Sequence, residues 1–138
     1  MEIISAKSLY KEYVSGKVIT EVIKGIKLNV QKGEFVSIVG PSGSGKSTLL
    51  YLLSGMEEKT SGSVHLLGKD IEKLSDKEKC EMRRNNIGFV YQFHNLISEM
   101  NVQDNILLPK LIGKDPIDID RLNKVAKMVS IEKYLKSY

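Results

Sequence analysis

The run Gly40-Pro41-Ser42-Gly43-Ser44-Gly45-Lys46-Ser47 limits what this chain can fold into more than any other feature. It satisfies the spacing Gly-x4-Gly-Lys-Ser, and each residue type has a physical reason. Glycines at 40, 43 and 45 allow backbone angles closed to other residues and a close approach to a ligand. The loop amides then turn inward as an anion nest, and a following helix adds its positive N-terminal end. Lys46 brings a charge to the β- and γ-phosphates of a nucleotide, and the Ser47 hydroxyl suits Mg²⁺. Thr48 reads as a helix N-terminal residue, with an α-phosphate contact as the functional alternative.

The flanks agree with that reading. Phe35-Val36-Ser37-Ile38-Val39 is a short apolar run of the kind that forms a buried parallel strand. After the loop, Thr48–Leu53 predicts a helix, with Gly55 as its stop. Strand, glycine-rich loop and helix in that order is the setting a phosphate loop needs.

Upstream, residues 1–34 read as an antiparallel β region. Ile26, Leu28 and Val30 alternate with Lys27 and Asn29, while Ile3-Ile4 and Val18-Ile19 are weaker strand signals and Gly16 and Gly33 are turns. Downstream, Thr60–Ser63 reads as a turn and Val64–Leu67 as a strand ended by Gly68. Ser75-Asp76-Lys77-Glu78 fits a capping box opening a helix to about Arg84, broken by Asn85-Asn86. Ile87–Tyr91 reads as another apolar strand with Gln92 at its C-terminal end. Val102–Leu108 predicts a helix stopped near Pro109. Asp118 or Asp120 caps a last helix with Leu122, Val125, Ala126 and Val129 on one side.

Composition narrows the remaining classes. The 138 residues form one domain's worth of chain, and the 41% apolar and 28% charged content suits a folded core. The single cysteine, Cys80, excludes an internal disulfide framework. The net charge of +4 is spread out, with Lys77, Lys79, Arg83 and Arg84 interleaved with acids, so it describes a solvated helix face and no nucleic-acid partner. No apolar run approaches the roughly 20 residues that span a bilayer, and no secretion signal opens the chain, which places it in the cytosol. His65 and His94 stand away from other residues at metal-ligand spacing.

The wording around these motifs resembles the ATPases of ABC transporters. The similarity lies in Gly-Pro-Ser-Gly-Ser-Gly-Lys-Ser-Thr-Leu-Leu at 40–50, in Thr60-Ser61-Gly62-Ser63-Val64, in Ile87–Leu96 and in Asn105–Pro109. It covers the whole chain and is greatest toward the branch serving lipoprotein release, macrolide export and antimicrobial-peptide export or resistance. The resemblance implies an α/β fold: a P-loop NTPase (RecA-like) core, incomplete, with an N-terminal antiparallel β subdomain. It implies three parts of one nucleotide-binding domain, 1–34, 35–92 and 93–138, the last being the start of a helical subdomain. Mg-ATP is the implied ligand. Gln92 is implied as the glutamine that reaches Mg²⁺ and the attacking water, which with Lys46 makes the catalytic pair. Tyr13 is implied as the aromatic stacking on adenine, with Tyr10 its rival. Phe93–Met100 is implied as the surface that receives a membrane permease on the cytosolic face, and an ATPase dimer as the assembly.

The chain departs from that family in one respect. It contains no apolar strand ending in Asp-Glu and no Leu-Ser-Gly-Gly-Gln signature. The expectation is therefore the N-terminal part of a longer ATPase, one that binds nucleotide without turning it over alone. Its Phe35–Val39 and Ile87–Tyr91 strands would have unpaired edges, making the isolated chain marginal, swapped or associated. A short noncatalytic regulator and a small phosphoryl-transfer kinase are the two competing readings.

Overall fold

The computed structural model describes all residues, Met1 to Tyr138. Two long strands, β1 (Glu2–Ser15) and β2 (Val18–Gln31), form an antiparallel hairpin. Its two-residue turn begins with Gly16 at φ 61°, a left-handed conformation that glycine adopts without strain. Helix α1 (Lys46–Leu53) follows the phosphate loop. Strand β3 (Ser61–Leu66) then pairs antiparallel with β1, and the short β4 (Lys69–Asp70) with β3, giving the sheet order β2-β1-β3-β4. Next come a 3-10 turn (Ile71–Lys73) and helix α2 (Asp76–Asn86). Helices α3 (Val102–Gly113) and α4 (Ile119–Met128) complete the main elements.

The chain divides into two compact units, Met1–Gly88 and Phe89–Tyr138. The first has a core of Ala6, Leu9, Ile23, Val64 and Leu66 from the sheet with Leu49, Leu52 and Leu53 from α1 and Ile71 beyond. Leu9, Leu52 and Val64 are fully buried. Truncating such a leucine to alanine costs about 2–5 kcal/mol, so this packing fixes how α1 lies on the sheet and hence where its N-terminus sits. The second unit closes around Leu107, Leu122, Ala126 and Leu135.

Several sequence expectations need correction. Phe35–Val39 and Ile87–Tyr91 are not strands; neither run joins the sheet. A strand has no hydrogen bonds within itself, so an apolar run without a neighbour stays irregular however strand-like its composition. Phe35 is 95% exposed and Val90 96%. Thr60–Ser63 is not a free turn, because Ser61 already begins β3. Gly62 (φ 93°) lies so close to β1 that a Cβ there would fall on the Ser8 carbonyl, where Ser8 (φ 48°) and a register shift mark a bulge. Leu67 (φ 52°) leaves the strand and shares the following turn with Gly68 (φ 77°).

Helix α2 is not broken at Asn85; it keeps both asparagines, and Asn86 Nδ2 donates back to the Met82 carbonyl at 3.0 Å. Helix α3 runs through Pro109 to Gly113. On α4, Leu122 and Ala126 are buried but Val125 and Val129 are exposed. The capping box at Ser75 and Glu78 is present on both sides, and of the two aspartates proposed for α4 it is Asp118 that caps, accepting from the Arg121 amide at 2.8 Å.

Candidate nucleotide site

The loop and the start of α1 are shaped by glycine. Gly45 is the N-cap of α1 in the left-handed region, φ 86°. A Cβ there would meet Val22 Cγ1 at 2.8 Å and the Val22 carbonyl at 3.1 Å, so the loop rests directly on β2. Gly43 also has a positive φ, 77°, and a Cβ on Gly40 would meet Ser44 Oγ at 2.8 Å. The Ser44 amide donates to the Pro41 carbonyl at 3.3 Å, closing the turn.

Lys46 folds back into this loop. Its ammonium donates to the carbonyls of Gly40 (2.9 Å) and Pro41 (2.6 Å) and to Ser44 Oγ (3.5 Å). All three partners are neutral oxygens, and residues 40–48 contain no carboxylate. The positive charge is thus positioned but not cancelled, which suits an anion. Ser47, exposed in the first turn of α1, offers a hydroxyl to a hard cation accompanying phosphate. Ser42 is exposed on the loop beside Pro41.

Tyr13, near the end of β1, is brought against the same helix. Its hydroxyl donates to Glu57 Oε1 at 2.7 Å and lies beside the Thr48 side chain. The Lys11 ammonium stands 4.8 Å from the Tyr13 ring centroid and 3.0 Å from Glu57 Oε1. Burial, then the hydrogen bond to Glu57, raises the Tyr13 phenol above its ordinary value, while Thr48 opposes the shift. For Glu57, burial works upward, but the hydrogen bond from Tyr13 and then the hydrogen bond and charge of Lys11 hold it below the usual carboxylate range. Tyr10, the rival aromatic, lies elsewhere: its hydroxyl sits over Gly25 of β2, 2.8 Å from where a Cβ would be.

The structure therefore joins Tyr13, Thr48 and the loop in one unit. Gln92 belongs to the other unit, exposed at a bend and not at a strand end. In that unit, Asn105 fastens the segment after Gln92: its side chain accepts from the Ile97 amide at 2.8 Å and donates to the carbonyls of Ile97 (3.0 Å) and Met100 (2.9 Å). Phe93 and Leu96 are left exposed. His94 is also exposed, and His65 lies within β3 opposite Ser5. Lys11 and Glu57 were not legible as site residues, since the Tyr13–Glu57 bond spans 44 residues of sequence. No helix is long and apolar enough to cross a membrane.

A family model described as ABC transporter matches residues 23–138, so Tyr13 precedes the matched region. The chain is 44% identical over 111 residues to the lipoprotein-releasing system ATP-binding protein LolD of Legionella pneumophila (strain Paris), covering 80% of this chain and 49% of that protein. It is 46% identical over 114 residues to LolD of Xanthomonas euvesicatoria pv. vesicatoria (strain 85-10), covering 82% and 47%. The chain spans about half the length of the curated relatives it matches. Among solved structures, the dimeric post-hydrolysis state of the ATP-binding cassette MJ0796 bound to ADP and Pi is similar with a TM-score of 0.86 at 34% identity. That match covers 97% of this chain and 60% of the other.

Proposed function

The chain belongs to the ABC transporter family, and from that premise we propose that it is the phosphate- and base-binding part of a transport ATPase subunit. The observation that carries this reading is Lys46, held inside the glycine loop by neutral carbonyls, in a run of residues 40–48 that has no carboxylate. The subunit would serve a lipoprotein-releasing or related export system, acting with a membrane permease on the cytosolic face and pairing with a second ATPase. The fold is that of a P-loop NTPase with an antiparallel N-terminal sheet.

Within the site, the amides of residues 42–47 and the N-terminus of α1 bind phosphate oxygens, and Lys46 supplies the charge. Ser47 would hold Mg²⁺ from the first turn of α1, and it is the family resemblance that gives Gln92 a role at the same ion. The ion, when bound, neutralises charge on the β- and γ-phosphates. Tyr13 takes the base by stacking, next to the helix whose first turn takes the phosphates. Phe93–Met100, with its backbone tied down by Asn105, is the permease-facing surface, and 93–138 begins the helical subdomain. Hydrolysis needs a carboxylate to orient water, and this chain has no apolar strand ending in Asp-Glu.

Titration calorimetry tests the binding half of the reading. The 138-residue chain is expected to bind Mg-ATP, and Lys46→Ala to weaken binding by about 10- to 100-fold, the range for a charge-assisted hydrogen bond. Equal affinity in the two proteins would overturn it. Single-turnover phosphate release tests the other half: a rate no higher than that of Lys46→Ala is expected, and a clearly higher one shows that the chain hydrolyses unaided.

A further inference from the structure

Glu57 lies outside the phosphate loop, yet the structure ties it to the site from both ends of α1. The amides of Met56 and Glu57 both donate to the Tyr51 carbonyl, at 2.9 and 3.2 Å, so the chain leaving α1 is anchored to the last turn of the helix. The next residues are fastened to β1. Lys11 Nζ donates to the Glu58 carbonyl at 2.7 Å, the Glu12 amide to Thr60 Oγ1 at 2.9 Å, and the Thr60 amide to the Tyr10 carbonyl at 2.9 Å. Glu57 is thus a side chain on a fixed backbone, and its carboxylate points back to Tyr13.

We infer that Glu57 is a positioning residue for base recognition: by accepting the Tyr13 hydroxyl at 2.7 Å it holds the Tyr13 ring beside Thr48 in the orientation that stacks on a purine. Tyr13 is 41% exposed, so part of its ring is open to solvent and is not enclosed by packing. An untethered ring must be ordered when the base arrives, and immobilising a side chain on binding costs affinity. The hydrogen bond meets that cost before the nucleotide binds. Lys11 completes the device. It pairs with Glu57 at 3.0 Å, so no uncompensated negative charge faces a polyphosphate ligand, and its ammonium covers part of the ring surface. The hydrogen bonds and ion pair of the Glu57 side chain go to Tyr13 and Lys11, so it acts through Tyr13.

This inference rests on the reading of Tyr13 as the stacking aromatic, and the experiment separates the two. Calorimetry compares Mg-ATP with Mg-tripolyphosphate, which has the phosphates but no base, on the full chain. Glu57→Ala is expected to weaken Mg-ATP by about 3- to 10-fold, the worth of one ordering hydrogen bond, and to leave tripolyphosphate unchanged. Tyr13→Phe, which keeps the ring and the Lys11–Glu57 pair, is expected to show the same loss. Glu57→Ala is expected to add nothing on top of it. Glu57→Gln, still an acceptor, restores near-native affinity. An equal loss for both ligands, additive effects of the two substitutions, or no loss at all would overturn the role of Glu57. If Tyr13→Ala leaves Mg-ATP affinity intact, the stacking role fails and the inference with it. Should Glu57→Ala fail to fold, Tyr13→Phe and Glu57→Gln still decide the matter.

Discussion

Gly45 meets two demands at once. Its φ of 86° belongs to the left-handed region, and the space where a Cβ would sit is filled by the side chain and carbonyl of Val22. Gly45→Ala is therefore expected to lower stability by about 1–3 kcal/mol, measured by urea unfolding, and to weaken Mg-ATP in parallel because the loop lifts from β2. An alanine variant of unchanged stability would contradict the close approach. The tether at Tyr13 has its own signature in pH. The Glu57 carboxyl sits below its ordinary 4.5 in the folded chain, so its contribution is present above that value and fades as pH falls through the lowered one. The Tyr13 phenol is shifted upward from 10.0, so its contribution holds below that value and fades as pH rises through the raised one. The difference in melting temperature between the native chain and Glu57→Gln should accordingly shrink on acidification below 4.5. A constant difference across that range would exclude the carboxylate as its source. At this scale the sequence reveals the loop because its eight residues are contiguous and each has a local reason. It does not reveal Glu57 or Lys11, whose meaning comes only from the strand and helix that bring them to Tyr13.

Helix ends were legible for the same reason of locality, and the antiparallel strands of residues 1–34 and the strand at Val64 were legible in outline, whereas the two apolar runs misled. Ser75 and Glu78 cap α2 through bonds within a span of four residues: the Ser75 amide and hydroxyl donate to Glu78 Oε2 at 2.8 and 2.7 Å. Ser75→Ala is expected to cost about 1 kcal/mol, seen as faster amide exchange in the first turn of α2. Side-chain and then backbone bonds from Ser75 hold the Glu78 carboxyl below its ordinary value, so the share of the effect carried by that carboxylate fades as pH falls through the lowered value, while the bond from the Glu78 amide to Ser75 Oγ remains. Pro109 shows where a local rule is overridden. It removes one hydrogen bond from the interior of α3, yet the helix continues, because Leu107 is buried against α4 and packing outweighs the lost bond. Pro109→Ala is expected to stabilise α3 by about 1–3 kcal/mol, read from its amide exchange. No gain would mean that the proline is already accommodated by a bent helix. The apolar runs at Phe35–Val39 and Ile87–Tyr91 have no such internal support. Their composition is that of strands, but strand formation is a property of a pair, and neither run joins the sheet.

At the scale of the whole molecule, the consequence is a surface out of keeping with a chain at ease alone in water. Phe35 (95%), Val39 (87%), Val90 (96%) and Phe93 (73%) are apolar side chains left largely in solvent. Residues 35–39 belong to no strand of the sheet. Isolated apolar residues on a surface are ordinary, but exposed apolar runs lying outside the sheet favour association through burial of hydrocarbon. The sheet that is formed does not take them in, since β2 and β4 end it on both sides. The net charge of +4 is too small and too scattered to keep copies apart at physiological salt. Sedimentation velocity at micromolar concentration should therefore show dimers or larger species, with the monomer fraction rising on dilution. A lysine at each run, Val39→Lys with Val90→Lys, should shift the distribution toward monomer without altering the sheet, because neither side chain belongs to a core. The same substitutions should leave tripolyphosphate affinity intact, as Lys46 and the loop carbonyls are untouched. A native chain that sediments as a monomer and melts in one cooperative step would show that the exposed runs are satisfied by water alone, and the expectation of association would be wrong.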